Sequence, residues 1–265
     1  MNLFLKELKQ YRVTFIVWSL TIAALTLMTM AAMPAMFQNQ RNLQDFIKMY
    51  PPELMRAFSF NVDSFSNPLG FFAVYAAIYV LLLGSVFSAT VGAGIVHKEQ
   101  SGHTAEFLLA KPLSRLQIIG IKMAAYATLV TALNIVTTVA SWLCLKAFAS
   151  SFDQAAFFTF CLYGFALVLS MGALGLLVSL LVRRARSLTG LAIGIALAFY
   201  FIDFAAKITK DYDAVGWVSP FKWVNVDITR PGYALDWWRL AAFAGLIVAC
   251  AASSIIVYRR KDVLT

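Results

Sequence analysis

Charged side chains are scarce in this chain of 265 residues. Asp, Glu, Lys and Arg together make up 13% of it, about half the ~25% typical of a soluble domain. With 61% apolar residues and a mean hydropathy of +0.75, the chain cannot cover its own surface with polar groups. That excludes a water-soluble globule and requires lipid as solvent. Histidine is almost missing: His97 and His103 share one polar segment and none lies in an apolar run. There is no His-Glu-x-x-His, so the metal-dependent intramembrane protease class is excluded. The Ser170-Met171-Gly172 stretch has no base to activate its hydroxyl, which excludes a serine-nucleophile site there. A Gly-x4-Gly-Lys-Ser/Thr loop is also missing. The nearest approach, Gly92-Ala93-Gly94 followed by His97-Lys98, has the wrong spacing and no hydroxyl after the lysine, so nothing cradles nucleotide phosphates in that way. The three cysteines, Cys144, Cys161 and Cys250, all sit in apolar runs without ligand spacing. They read as small apolar packers and exclude a disulfide framework.

What is present is a set of long apolar runs. Six are long enough to span a bilayer, roughly Val13–Ala35, Leu69–Val96, Ile118–Leu145, Ala155–Val182, Ser187–Ala206 and Arg239–Tyr258, each near the ~20 residues a span needs. The first is too long for a signal h-region and has no cleavage site after it, so it is read as a retained span. Only Arg183-Arg184-Ala185-Arg186 separates the fourth and fifth, which makes those two antiparallel neighbours. Six spans put both ends on one side, and charge says which. The N-terminus, 97–122, 183–186 and the C-terminus hold 13 of the 22 Lys/Arg and only four acids, Glu7, Glu99, Glu106 and Asp262. The segments on the other side hold nine of each sign. The whole net charge of +9 therefore lies on one face, which the positive-inside rule places in the cytoplasm. Topology accounts for the basic balance, and nucleic-acid binding is not implied.

Within 1–12, Phe4, Leu8 and Tyr11 share a helical face while Lys6, Lys9 and Arg12 lie elsewhere. This predicts an interfacial helix that turns into the first span. In the loop 37–68, Pro51-Pro52-Glu53 begins a helix with Leu54, Met55 and Phe58 on one side. The loop 203–239 is rich in Trp217, Phe221, Trp223, Trp237 and Trp238 and is expected to dip into the outer interface. It reads equally as an aromatic belt and as part of a substrate path through Trp217 and Trp223. Asp203, near the end of the fifth span, is the one intramembrane acid worth testing for function. It reads either as a site or as a partner for Lys207 one turn on. Gly84, Gly92 and Gly94 in the second span and Gly172 and Gly175 in the fourth predict close helix packing.

The segment from His97 to Arg115 has the richest local grammar. The second span runs on as a helix to about Gln100, and Ser101-Gly102 breaks it. Thr104 suits an N-cap and Glu106 the positive end of a short helix to Ala110, stopped by Lys111-Pro112. Ser114-Arg115-Leu116-Gln117 is a capping box with Leu113 and Ile118 as its staple. The result is an elbow over 97–117. On these physical grounds it reads either as a knob that a cytoplasmic partner pushes or as a well-capped loop.

The same residues resemble the signature of ABC-2 type permeases, the membrane subunits of exporter-type ABC transporters. The matching residues are Glu99, Ser101-Gly102, Thr104, Glu106, Leu108-Leu109, Pro112-Leu113-Ser114-Arg115 and Lys122. One extra residue in His103-Thr104-Ala105 precedes Glu106, where the family often has Gly-Thr-Leu-Glu. The resemblance implies that Glu99 to Arg115 sits in a groove of a separate ATPase subunit. It also implies two permease copies and two ATPase copies per transporter, with ATP and magnesium bound by the partner and no cofactor in this chain. Glu99, Gly102, Thr104, Glu106, Phe107, Leu109, Pro112, Ser114 and Arg115 would then carry the coupling. Glu99 and Glu106 would make polar contacts, and Phe107 and Leu109 would form the apolar part of the knob. Arg115 would either fix the elbow to backbone or meet lipid phosphate. The expectation is a single all-α domain over 1–265, with both termini cytoplasmic, in the cytoplasmic membrane, exporting a lipophilic or amphipathic molecule. A self-contained secondary transporter using Asp203 and a non-transporting scaffold are the alternatives.

Overall fold

The computed structural model describes residues 3–38, 51, 55, 67–101, 114–149, 151–182, 187–208, 213–230 and 232–260, with the backbone alone for 97–101. Helix α1 runs over Leu3–Gln38. Helix α2 (Pro68–Ala76) leads through a π-helical stretch, Ala77–Leu83, into α3 (Gly84–Ser101). Then come α4 (Arg115–Phe148), α5 (Gln154–Leu181) and α6 (Leu188–Ile208). A short α7 (Asp213–Gly216) and a 3-10 turn (Pro220–Trp223) precede α8 (Trp237–Arg260). The described residues contain no strand, and six helical stretches are long and apolar enough to cross a membrane. The six expected spans and the all-α class hold.

The helix starts follow from local chemistry. Asn67 caps α2 by accepting from the Leu69 amide at 2.9 Å, with Pro68 where a missing amide costs nothing. The capping box of α4 is formed: the Ser114 hydroxyl accepts from the Gln117 amide at 3.2 Å, and the Gln117 side chain accepts from the Ser114 amide at 2.8 Å. Asp153 caps α5 by accepting from the amides of Ala155 and Ala156 at 2.9 and 3.1 Å.

One expectation needs correction. The helix over 1–12 does not turn before the first span. Residues Leu3–Gln38 form one uninterrupted helix of 36 residues, about 54 Å at 1.5 Å per residue, well beyond a ~30 Å hydrocarbon core. Its face of Phe4, Leu8 and Tyr11 packs on a protein core containing Ile95, Ile118 and Ile119. The amphipathic face exists, but protein covers it. In the 37–68 loop, the helix expected after Pro51, including Leu54 and Phe58, lies outside the described residues apart from Pro51 and Met55. Arg183 to Arg186 also lie outside them.

α3 and α5 form the centre. They are the most buried spanning stretches and pack extensively on each other. α1 and α4 pair along one side, α6 covers α3, and α8 covers α5. Small residues set the central approach. A Cβ at Gly92 would fall onto the carbonyl oxygen of Gly172, and one at Gly175 onto that of Ala89. The two backbones touch there, as small-residue interfaces in lipid allow. Beside this contact, the Ser88 and Tyr126 hydroxyls lie 3.0 Å apart, and Tyr126 donates to the Leu169 carbonyl at 2.6 Å. That ties α3, α4 and α5 together. Outer positions such as Val13, Ile16, Val17 and Leu20 on α1 and Ile135 and Val139 on α4 are exposed apolar surface, as a lipid-facing exterior requires.

Candidate functional site

Two buried acid–lysine pairs stand at opposite ends of the bundle. The first is at the end carrying the termini. Lys122, two turns inside α4 and fully buried, donates to the Glu7 carboxylate at 3.0 Å and to the Ile95 carbonyl at 2.6 Å. Glu7 belongs to the first turns of α1 and Ile95 to the last turns of α3. One ammonium therefore fastens three helices just where α3 enters the elbow and α4 leaves it. Nearby, an Arg115 guanidinium nitrogen donates to the Arg259 carbonyl at 3.4 Å, which joins the start of α4 to the end of α8. Of the two roles open to Arg115, this contact is to backbone, but of α8 rather than of the elbow. The Cys144 and Cys250 side chains are buried and all three cysteines are free.

Of the residues that the sequence assigns to coupling, Ser114 and Arg115 are described. Glu99 is helical, and its side chain lies outside the described part. Gly102, Thr104, Glu106, Phe107, Leu109 and Pro112 lie outside the described residues, as does Leu113 of the staple. The described part of α3 reaches Ser101, and α4 starts at Arg115 as expected from its cap; the break expected at Ser101-Gly102 and the short helix after it lie outside the described residues.

The second pair is at the other end. Asp203 is 4% exposed, and one of its oxygens lies 2.7 Å from the Lys207 ammonium. Its other oxygen, Oδ1, is buried without a hydrogen-bond partner among the described residues. The carboxylate borders a small cavity of ≈ 30 Å³ between the π-helical stretch (Ala77, Ile78, Leu81), α6 (Tyr200, Phe204) and Phe221. The i→i+5 bonding of a π-helix is uncommon and recurs at functional sites.

The described part of 203–239 is folded onto the helices. Phe221, Val224 and Ile228 are buried in a core that includes Phe72, Phe157 and Phe243. The Ser219 hydroxyl donates to the Phe199 carbonyl at 2.6 Å. The Asp236 amide donates to the Tyr163 hydroxyl at 2.6 Å. Tyr233 donates to the Asn225 carbonyl at 2.8 Å, and burial pushes its phenol pKa well up, so the donor proton stays in place. Arg239 sits 2.9 Å from the Asp236 carboxylate and donates to the Trp223 carbonyl at 3.1 Å. Lys222 pairs with Asp213 and lies 5.9 Å from the centre of the Trp217 ring. Trp217 packs on Trp238 and Trp223 on Phe243, with ring centres 5.4 and 5.3 Å apart. Neither Trp217 nor Trp223 lines the Asp203 cavity, and Phe221 stands there instead. The structure thus joins Asp203 to Tyr200, Phe204 and Phe221, and places the two tryptophans in a neighbouring aromatic cap.

In the sequence Lys122 stands out only as a motif residue, and nothing local pairs it with Glu7. A lysine inside an apolar run signals a buried partner. Its partner is 115 residues away, beyond any local pattern.

A single bundle of six spanning helices, whose described charged side chains lie towards its two ends, defines a multi-pass α-helical membrane protein. The sequence profile of the family described as ABC-2 family transporter protein matches residues 1–263, and the chain belongs to that family. A comparison with curated proteins gave no significant match.

Proposed function

We propose that this chain is the permease subunit of an ATP-driven exporter. It couples hydrolysis by a separate ATPase to export of a lipophilic or amphipathic molecule, such as a drug or an antimicrobial peptide. It works as two copies with two ATPase copies, in the cytoplasmic membrane, with both termini and the elbow in the cytoplasm. ATP and magnesium belong to the ATPase. The elbow from Glu99 to Arg115 docks in the ATPase through Glu99 and Glu106, with Phe107 and Leu109 as its apolar part and Gly102, Thr104, Pro112 and Ser114 shaping it. When the ATPases close on ATP, the elbow is pushed and α3 and α4 tilt, changing the path between the two permease copies.

The observation that carries this reading, beside family membership, is the mounting of the elbow. Lys122 binds Glu7 of α1 and the Ile95 carbonyl of α3 just below it. A push on the elbow thus reaches three helices as one body instead of dissipating in a loose loop. The test is co-purification. The tagged chain is expressed with its genomic neighbours and extracted in mild detergent. A stoichiometric ATPase that is lost on Glu106→Lys or on deletion of 101–112 supports the reading. A stable protein with no ATPase overturns it in favour of a self-contained secondary transporter, the second reading, which the unpartnered oxygen of Asp203 favours.

A further inference from the structure

We propose that the cavity at Asp203 binds the primary ammonium head of a cationic amphiphile, with Lys207 as a resident counter-ion that the ligand displaces. This rests on the permease reading and narrows its substrate class.

Three independent observations converge. The Asp203 carboxylate is buried, with a side chain 6% exposed, while its Lys207 partner is 23% exposed. The anion is thus at the bottom and the cation at the mouth. A lysine on an i,i+4 stem near the end of a span can swing its head towards headgroups and water with little loss. Asp203 cannot leave. Second, Oδ1 of the same carboxylate is buried without a donor among the described residues, and a buried carboxylate oxygen left unpaired is costly. The resident lysine satisfies one oxygen only. Lys207 is held by its stem on the same helix, whereas an untethered primary ammonium can turn its three donors to the carboxylate freely. Third, the walls are Ala77, Ile78 and Leu81 from the π-helical stretch and the rings of Tyr200, Phe204 and Phe221. Aromatic faces favour a cation and apolar walls favour the first methylenes of a chain.

Size selects the head. The cavity of ≈ 30 Å³ exceeds the ~10–15 Å³ that one water needs. It holds an ammonium group but neither a trimethylammonium nor a whole amphiphile. The alkyl tail must remain outside, along the apolar exterior. A neutral alcohol would fit the space but would not displace Lys207. An anion would meet Asp203. The exchange conserves charge: one ammonium leaves the carboxylate as another arrives, and no uncompensated ion is left buried.

The test uses purified protein in maltoside micelles without any ATPase, titrated with decylammonium chloride or with decyltrimethylammonium chloride. The two probes share charge and tail, so micelle partitioning affects both. Ligand-dependent thermal stabilisation reads occupancy. The expected result is half-saturation at a concentration at least tenfold lower for decylammonium. Asp203→Asn abolishes that preference, and Lys207→Gln lowers half-saturation severalfold further by removing the competing cation. Equal response to the two probes overturns the proposal, as does an unchanged preference in Asp203→Asn. Weaker binding in a folded Lys207→Gln protein also overturns it, because the lysine would then be part of the site. If Lys207→Gln does not fold, the wild-type comparison and Asp203→Asn decide alone. Because no ATPase is present, failure here leaves co-purification to judge the permease reading separately.

Discussion

Glu7–Lys122 and Asp203–Lys207 are both acid–lysine pairs in a membrane protein, and they are built on opposite plans. The first joins residues from different helices, 2% and 0% exposed, and the lysine adds a backbone carbonyl to its carboxylate. The second lies within one helix, leaves a carboxylate oxygen unpaired, and borders a cavity. A buried charge held by two acceptors among three helices fixes an arrangement. A buried charge half-satisfied next to open space leaves a place for something else. Burial alone does not separate these cases. The completeness of the partner set does.

The sharpest way to break this comparison is at the first pair. Lys122→Met takes the buried cation away from the buried Glu7 carboxylate, and losing one partner of a buried pair typically costs about 3–5 kcal/mol. The expected outcome is a large fall in the thermal midpoint in detergent, or failure to recover monodisperse protein. The double variant Glu7→Leu/Lys122→Met removes both charges and should recover most of that loss, since an apolar replacement of an ion pair is often neutral. If the single variant is as stable as the wild type, the three-helix clamp does not exist. If the double variant is stable but its bound ATPase no longer drives transport, the clamp serves coupling beyond stability.

Next in size comes the central glycine contact. Gly172→Ala places a Cβ against the Ser88 and Tyr126 side chains, and Gly92→Ala places one on the Gly172 carbonyl. Overpacking of this kind costs about 1–3 kcal/mol. Gly194, with open space around its Cβ position, is the control: Gly194→Ala should leave the thermal midpoint unchanged or raise it slightly. Smaller again is the cap of α4. Ser114→Ala removes the acceptor for the Gln117 amide and should cost about 1 kcal/mol, read as faster hydrogen exchange confined to the first turns of α4.

Much of this architecture could be read in the sequence because it depends on local or periodic signals. The apolar runs gave six spans. The Ser114–Gln117 spacing gave a capping box, and the glycines of the second and fourth spans gave their close approach. What stayed hidden depends on contacts between distant segments. Phe4, Leu8 and Tyr11 announce an apolar face, but their spacing is the same whether lipid or Ile118 and Ile119 cover it. Lys122 announces a buried charge without naming Glu7. The Asp203–Lys207 pair was legible from its i,i+4 spacing. The unpaired oxygen and the cavity were not, because they require the π-helical stretch and Phe221 to come together at α6. The wealth of indoles in 203–239 drew attention to Trp217 and Trp223, whereas the ring that reaches the cavity is that of Phe221.

The smallest expected effect decides most about the second pair. Asp203→Asn removes a buried negative charge and leaves Lys207 at the mouth, where it can extend to headgroups or water. Lys207 is 23% exposed, so its charge can be solvated once Asp203 is neutral and no buried ion is left alone. The asparagine keeps the shape and can donate from its amide while accepting from Lys207. The thermal midpoint without ligand should therefore change by no more than about 1 kcal/mol equivalent, in contrast to Lys122→Met. A loss comparable to that of Lys122→Met would make Asp203 a structural clamp like Glu7, and the contrast between the two ends would collapse. A near-neutral change, combined with loss of discrimination between the primary and quaternary decyl probes, would mean that the unpaired oxygen contributes to binding and almost nothing to folding. That separation is expected of a residue kept half-satisfied for a ligand, because an acid retained for stability would have its second oxygen paired as well.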